Sequence, residues 1–351
     1  MNKMNAFVLH GPNDIHYEKV EMPKLSEKEV LVEVEAAGIC GSDIPRIYKT
    51  GAHVHPLIPG HEFSGVVTAL GDGADEKWLG KRVGIFPLIP CGECEPCKKQ
   101  QYEMCRNYSY LGSRRDGGFA EYVAVPQENL IELPDEVSAE AAAMLEPMAV
   151  AVHALRGIQV TKSDTVAICG MGTIGLLLLM FLKELGVEKL YVIGNKESQK
   201  EKAVIAGVCE KDFCNMKLVN SEKWLMEKTE GKGVDVFFEC VGKNEIVLQA
   251  VNVTAPGGKV MLVGNPYSDM TLDKQVYWKI LRNQMTIKGT WNSSFTHEVN
   301  DDWHYVLQKL KDKKVSPEIL ISHTYDLGEL ETGLEIMRDK TEDYVKIMVR
   351  N

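Results

Sequence analysis

Apolar and polar residues alternate from Glu29 to Ala36: Val30, Val32 and Val34 fall on one face, Leu31, Glu33 and Glu35 on the other. A period of two predicts a strand with one buried face. It runs directly into Gly38-Ile39-Cys40, so Cys40 is expected just past a strand end. Ala6 to Val20 predicts two further strands, joined at the turn Gly11-Pro12-Asn13-Asp14. Phe63 to Leu70, Arg82 to Phe86, Gly118 to Val125 and Leu130 to Leu133 have the same texture. An irregular β-rich domain is expected over the first ~130 residues. Ser42 and Asp43 are placed to cap a short helix through Ile44 to Tyr48, with Pro45 in its first turn. Ser138 to Met148 and Ala149 to Leu155 are Ala-rich and helical, with a break or kink at Pro147.

The texture changes at Thr165. Val166 to Cys169, Leu190 to Ile193, Val234 to Phe238 and Lys259 to Val263 are short, continuously apolar runs. Helical patterns lie between them, over Ile174 to Leu185, Lys196 to Ala206 and Glu245 to Val251. Alternating strand and helix with apolar strands implies a parallel α/β sheet covered on both faces. From Trp291 the pattern reverts, with a helix over Trp303 to Lys311 and a final strand over Lys346 to Val349. No internal repeat or low-complexity linker interrupts the chain.

Composition narrows the function class. With 351 residues, two domains are the natural expectation. A hydrophobic content of 44% and a charged content of 26% are ordinary for a soluble globular protein. The net charge of -10 argues against a sequence-independent nucleic-acid binder, which needs a basic face. The longest apolar run, Ile174 to Leu182, is too short to span a bilayer, and Met1 to Ala6 has no signal-peptide pattern. A cytoplasmic protein without a membrane partner is expected, and in such a chain clustered cysteines bind metal more often than they form disulfides.

Three motifs carry chemistry. Cys91, Cys94, Cys97 and Cys105 follow the spacing C-x2-C-x2-C-x7-C. Four thiolates in a short loop match a closed, tetrahedral structural zinc. A ferredoxin-like iron–sulfur run would place its fourth cysteine after three residues and follow it with proline; here the gap is seven and Arg106 comes next. Gly170-Met171-Gly172-Thr173-Ile174-Gly175 is a GxGxxG motif that follows an apolar strand and opens a helix, the context of a dinucleotide site. An NAD enzyme should carry an acidic residue at the end of the next strand. This chain has Ile193-Gly194-Asn195-Lys196 there. Gly194 leaves room for a 2′-phosphate that Lys196, with Lys200 a turn later, could neutralise. Glu197 argues the other way. NADP is favoured over NAD.

The third motif combines Cys40, between glycine-flanked residues, with Pro59-Gly60-His61-Glu62. Thiol, imidazole and carboxylate suit an open catalytic zinc site. Glu146, in Leu145-Glu146-Pro147, is a carboxylate in apolar surroundings that needs a cation or a hydrogen-bond partner. Cys40, His61 and Glu146 are the expected ligands, with Glu62 as fourth ligand or exchange partner. Zinc plus nicotinamide implies hydride transfer between an alcohol and the cofactor. Ser42, two residues from Cys40, is the candidate acceptor of the alcohol proton, with His53 and His55 as possible relay ends.

Together these motifs resemble the zinc-dependent medium-chain dehydrogenases of the alcohol, sorbitol and threonine dehydrogenase type. Gly38 to Asp43, Gly60-His61-Glu62, the four-cysteine lobe, Asp116 to Tyr122, Gly170 to Gly175 and Ile280-Leu281-Arg282 carry the resemblance over nearly the whole chain. It implies a GroES-like catalytic domain, residues 1–155 with 291–351, holding the zinc lobe at 88–110. A Rossmann domain would span 156–290, with the active site in the cleft between the two. Cofactor contacts are implied for Gly170, Gly172, Thr173, Ile174, Gly175, Gly194, Asn195, Lys196, Val263 and Gly264. A homodimer or homotetramer is implied as well.

Cys40 to Ile47, Gly51-Ala52-His53 and Gly112 to Gly118 are most similar to the branch that oxidises hexitol phosphates, of the galactitol 1-phosphate to tagatose 6-phosphate type. That branch carries an Asp where this chain has Gly194. A relay histidine of some alcohol dehydrogenases, three residues after Ser42, is Pro45 here. Arg46, Lys49, Arg114 and Arg115 are candidates for the substrate phosphate. The alternatives are a dehydrogenase of unphosphorylated polyols or secondary alcohols, and a non-catalytic cofactor-binding protein.

Overall fold

The computed structural model describes residues 3–266 and 268–351. The chain divides into two compact units, Met1–Pro147 with Ser293–Asn351, and Met148–Asn292. The first holds a seven-stranded sheet. The strand Glu29–Ile39 lies between Glu62–Leu70 and the C-terminal Lys346–Arg350, antiparallel to both, and Tyr122–Pro126 pairs with its first half. Ile321–Asp326 borders one edge, Arg82–Ile85 and Leu130–Glu132 the other. Val30, Val32 and Val34 are buried, as their alternation predicts, and share a core with Phe7, Phe63, Phe119 and Ile347.

The second unit is a six-stranded parallel sheet. Numbered by appearance within the unit, its strands run in the order 3-2-1-4-5-6: Phe213–Asn215, Leu190–Gly194, Val166–Cys169, Val234–Glu239, Thr254–Leu262 and Thr286–Gly289. This is the doubly wound α/β order, and the direction of winding reverses at Val166–Cys169. That strand is wholly buried, as expected of a sheet covered on both faces. Among the described residues no helix is long and apolar enough to cross a membrane.

Several local expectations change. Pro147 does not break the helix around it. One helix covers Ala139–Ala143 and ends at Met144; the next, Leu145–Ile158, holds Pro147 in its first turn, where no intrahelical N–H is required. Ser42 does not cap the helix after it: the N-cap side chain makes no capping bond, and a three-residue helix, Asp43–Pro45, passes into a wider turn over Arg46–Thr50. The edge strand Thr286–Gly289 and the short Phe213–Asn215 were outside the expected set, as were the helices Ser221–Lys228, Lys274–Arg282 and Leu330–Asp339.

One ion pair joins the C-terminal strand to the rest of its sheet. Ile347 lies opposite Ile39, and Gly38 opposite Glu62. The Lys346 side chain therefore reaches across the strand end: its Nζ donates to the Glu62 carboxylate and, at 3.2 Å, to the carbonyl of Ile39. Both side chains are buried. Gly38 makes the passage possible, because a Cβ there would stand 2.6 Å from Glu62 Oε2 and 2.7 Å from Lys346 Cε. Lys346→Met should leave a buried carboxylate without its cation and lower stability by about 3–5 kcal/mol. Adding Glu62→Gln should recover most of that loss in urea denaturation. A double variant no more stable than the single one would show that the pair is not coupled in this way.

Candidate active site and metal centre

Adjacent strand ends assemble the first constellation. Glu29–Ile39 delivers Cys40 at its C-terminal end, and Glu62–Leu70 begins immediately after His61. The ligand atoms of Cys40, His61 and Glu62 lie within 4.8 Å of one another. His61 and Glu62 are buried and Cys40 is partly so. Asp43, fully buried, organises the group. It accepts the N–H of Cys40 at 2.9 Å, pairs with Arg46 Nη1 at 2.5 Å, and lies 3.4 Å from His61 Nδ1. Burial alone would raise the Asp43 pKa, but His61, Arg46 and the Cys40 N–H hold it below the usual carboxylate value. Burial would likewise lower the His61 pKa, and the charges of Asp43 and Cys40 instead raise it well above the ordinary imidazole value.

Glu146 stands beside this group but outside the 4.8 Å set. Its Oε1 accepts the Tyr110 hydroxyl at 3.1 Å. Burial pushes its carboxyl up to about 7; the His61 charge opposes the rise and that of Glu62 adds to it. The expected trio of Cys40, His61 and Glu146 thus meets a different geometric trio, with Glu62 in place of Glu146. Glu62 itself carries the Lys346 ion pair. Ser42 Oγ donates to Cys40 Sγ at 3.3 Å. The donor set suits zinc, which accepts sulfur, imidazole nitrogen and carboxylate oxygen. His61 Nδ1 is buried and faces the Asp43 carboxylate at 3.4 Å without an aligned hydrogen bond.

Four cysteines form the second constellation. Sulfur separations are 3.9 Å for Cys91–Cys97, 3.5 Å for Cys94–Cys97 and 3.9 Å for Cys94–Cys105. A tetrahedron of Zn–S bonds has edges of about 3.8 Å, so these thiols stand at the spacing the metal requires. None forms a disulfide. Backbone N–H groups of Arg106 and Cys97 lower the Cys94 thiol to about 6, which favours the ligating thiolate.

The GxGxxG turn lies at the point where the parallel sheet reverses. Gly170 has φ +103°, and a Cβ on Gly175 would stand 1.9 Å from the Gly170 carbonyl oxygen. Gly172 caps the helix Thr173–Leu185 without a side-chain bond, leaving a helix N-terminus suited to an anion. Val263 and Gly264, beyond the strand Thr254–Leu262, donate their N–H groups to the Glu239 carbonyl at 2.8 and 2.9 Å. These features fit a dinucleotide.

Several charged candidates are already engaged. Arg115 pairs with the buried Glu29, and Lys200 pairs with Glu210 and, at 3.2 Å, with Glu197. Lys200 is therefore no free companion for Lys196. His55 Nε2 accepts the Ala52 N–H at 3.2 Å. Arg114 lies over the Tyr108 ring at 4.6 Å, with its Nε buried and unpaired. His53 titrates below its ordinary value, first through partial burial and then through the charges of Arg114 and Arg46. Lys49 is exposed. The sequence offered Asp43 only as a helix cap, whereas it is the first helical residue and binds the Cys40 N–H, and it gave no role to Tyr110 or Lys346. For Lys346 a signal existed: it is the one charge within the apolar run Val345 to Val349.

Comparison with known proteins places these sites in context. Residues 26–135 match the model of the alcohol dehydrogenase GroES-like domain, and residues 173–312 match that of the zinc-binding dehydrogenases. The chain is 35% identical over 318 residues to galactitol 1-phosphate 5-dehydrogenase of Escherichia coli K12, with 89% of each covered. The crystal structure of galactitol-1-phosphate dehydrogenase from E. coli superposes with a TM-score of 0.92 at 31% identity, over 99% of this chain and 100% of that one. A zinc-binding dehydrogenase from Sinorhizobium meliloti bound to NADP gives 0.91 at 26% identity, covering 100% of both chains. The rspB alcohol dehydrogenase of E. coli CFT073, complexed with NADH, gives 0.89 at 28%, again over 100% of both. Matches of this length across both halves mean that the chain belongs to the zinc-dependent medium-chain dehydrogenases, a family of oxidoreductases that act on alcohols and polyols.

Proposed function

We propose that this enzyme oxidises a secondary alcohol of a polyol phosphate, of the galactitol 1-phosphate to tagatose 6-phosphate type, with NADP favoured over NAD. The first unit is the catalytic domain and the second the cofactor domain. Cys40, His61 and a glutamate, Glu62 or Glu146, hold a catalytic zinc; Cys91, Cys94, Cys97 and Cys105 hold a structural one. When bound, zinc lowers the pKa of the substrate hydroxyl and the nicotinamide accepts the hydride. The protein's own part is to place the hydroxyl and to receive its proton. Ser42 is the candidate relay: its Oγ accepts the alcohol proton while its own proton, now directed at Cys40 Sγ, turns away and passes toward solvent or the cofactor ribose.

The observation that carries the phosphate assignment is a cationic corner one carboxylate away from Cys40. Asp43 binds both the Cys40 N–H and Arg46, while the charges of Arg46 and Arg114 both act on His53. An arginine with an unpaired, buried Nε suits an anionic oxygen. Lys49 is set aside for its exposure, and Arg46 and Arg115 are each already paired with a buried carboxylate, Asp43 and Glu29, so Arg114 is the arginine best placed to meet the phosphate. For NADP, the support is the strand end at Gly194, which carries no acid. That none of the nine cysteines is in a disulfide accords with a cytoplasmic setting.

A self-association face also fits this reading. Thr286–Gly289 is an exposed edge strand, and Tyr277, Trp278 and Leu281 of the helix Lys274–Arg282 lie exposed close before it in the chain. Proteins seldom leave such an edge open, and a second copy covers it in a homodimer or tetramer.

Steady-state kinetics with galactitol 1-phosphate, galactitol and sorbitol should give a kcat/KM at least about tenfold higher for the phosphate. Equal values would leave an unphosphorylated polyol as the substrate. Elemental analysis should find two zinc ions per chain. Cys40→Ser should abolish turnover while the chain still binds cofactor and keeps one zinc; undiminished activity would refute the catalytic assignment. Sedimentation of a Leu281→Asp/Ile287→Lys variant should show a smaller species than the unaltered protein, and an unchanged mass would remove this face as the interface.

A further inference from the structure

The strand Leu190–Gly194 ends where a dinucleotide fold presents the group that meets the adenosine ribose. No carboxylate stands there, but the place is not vacant. Gln199, in the first turn of the helix Glu197–Ile205, folds its carboxamide back over Gly194. Its Oε1 accepts the N–H of Asn195 at 2.9 Å and lies 2.7 Å from the point where a Cβ on Gly194 would stand. The Phe213 ring closes the other side, with Cζ 2.8 Å from the same point. Gly194 is therefore glycine because a side chain and a ring pack against its Cα. Replacing it by aspartate is a poor probe of cofactor choice, since the new carboxylate must first displace Gln199.

The bond to Asn195 also sets the orientation of the amide. A backbone N–H must meet an oxygen, so Oε1 faces inward and Nε2 faces outward. Among the described residues Nε2 has no recorded partner, whereas the nearby Lys200 is held by Glu210 and Glu197. A strand-end carboxylate accepts from a ribose 2′-hydroxyl and repels a 2′-phosphate. An outward amide N–H does the reverse: it donates to phosphate oxygen and brings no negative charge.

We propose that Gln199 is the residue that sets cofactor choice, donating from Nε2 to the 2′ substituent of the adenosine ribose. This rests on the reading of the GxGxxG turn as the dinucleotide site. Gln199→Glu is nearly isosteric, keeps an oxygen for the Asn195 N–H, and replaces the donor by a negative charge. Gln199→Met removes the donor without adding charge.

The test is equilibrium binding of NADP and of NAD to the zinc-loaded protein and both variants, by isothermal titration calorimetry. Zinc content and melting temperature serve as controls on folding. Gln199→Glu should weaken NADP binding at least about tenfold while NAD binding changes less than about threefold, and Gln199→Met should weaken NADP by a smaller factor. An NADP-to-NAD affinity ratio within twofold of the unaltered protein in both variants would overturn the assignment. Should the unaltered protein bind NAD more tightly, the NADP preference falls, while the role of Gln199 is still judged by whether the ratio shifts toward NAD in Gln199→Glu. A failure of either idea is thus distinguishable from a failure of the other.

Discussion

Placing an ammonium and a carboxylate together in a protein interior is costly, because both give up hydration that their mutual attraction only partly returns. Lys346 and Glu62 do this at the centre of the first unit. Their pairing fixes where the C-terminal strand begins, and it neutralises a carboxylate next to Cys40 and His61. It also requires Gly38, whose missing side chain is the passage through which the two groups meet. Cys40, His61 and Glu62 and the sheet that presents them are thus held by the same contact. Asp43 plays a smaller version of this role, joining Cys40, Arg46 and His61 through one carboxylate.

Much of the fold was legible in the sequence wherever burial imposes a period. The strand at Glu29 and the four apolar runs from Val166 onward had clear patterns, because each buries one or both faces. What escaped were elements that do not bury a continuous face. Thr286–Gly289 is exposed at all four positions, and Phe213–Asn215 spans only three residues. Pro147 misled for a related reason: proline opposes a helix interior but not a first turn, and only the break at Met144 reveals which of the two it occupies.

The site divided along similar lines. Residue type and spacing were enough to select Cys91, Cys94, Cys97 and Cys105, and to bring Cys40 and His61 together. They were not enough to rank Glu62 against Glu146, because the partners that distinguish them, Lys346 and Tyr110, lie far away in sequence. Charge was the least readable property. Arg115 and Lys200 look available in the sequence, yet each is already bound by a carboxylate. Gln199, an unremarked neutral residue among charged ones, holds the position where an acid would normally be sought.

The Lys346–Glu62 contact spans 284 positions. A ribosome releases Glu62 long before Lys346, and all of Met148–Asn292 is made in between. During that interval the first unit has its cysteines, His61 and most of its strands, but its sheet still lacks the strand Lys346–Arg350. Glu62 must stay hydrated until that strand arrives. Synthesis order therefore makes the first unit the last to close, even though it begins before the second. A nascent chain stalled between Asn292 and Lys346 would carry Cys40 and His61 beside an open sheet edge, the form most exposed to mispairing and to chaperone capture.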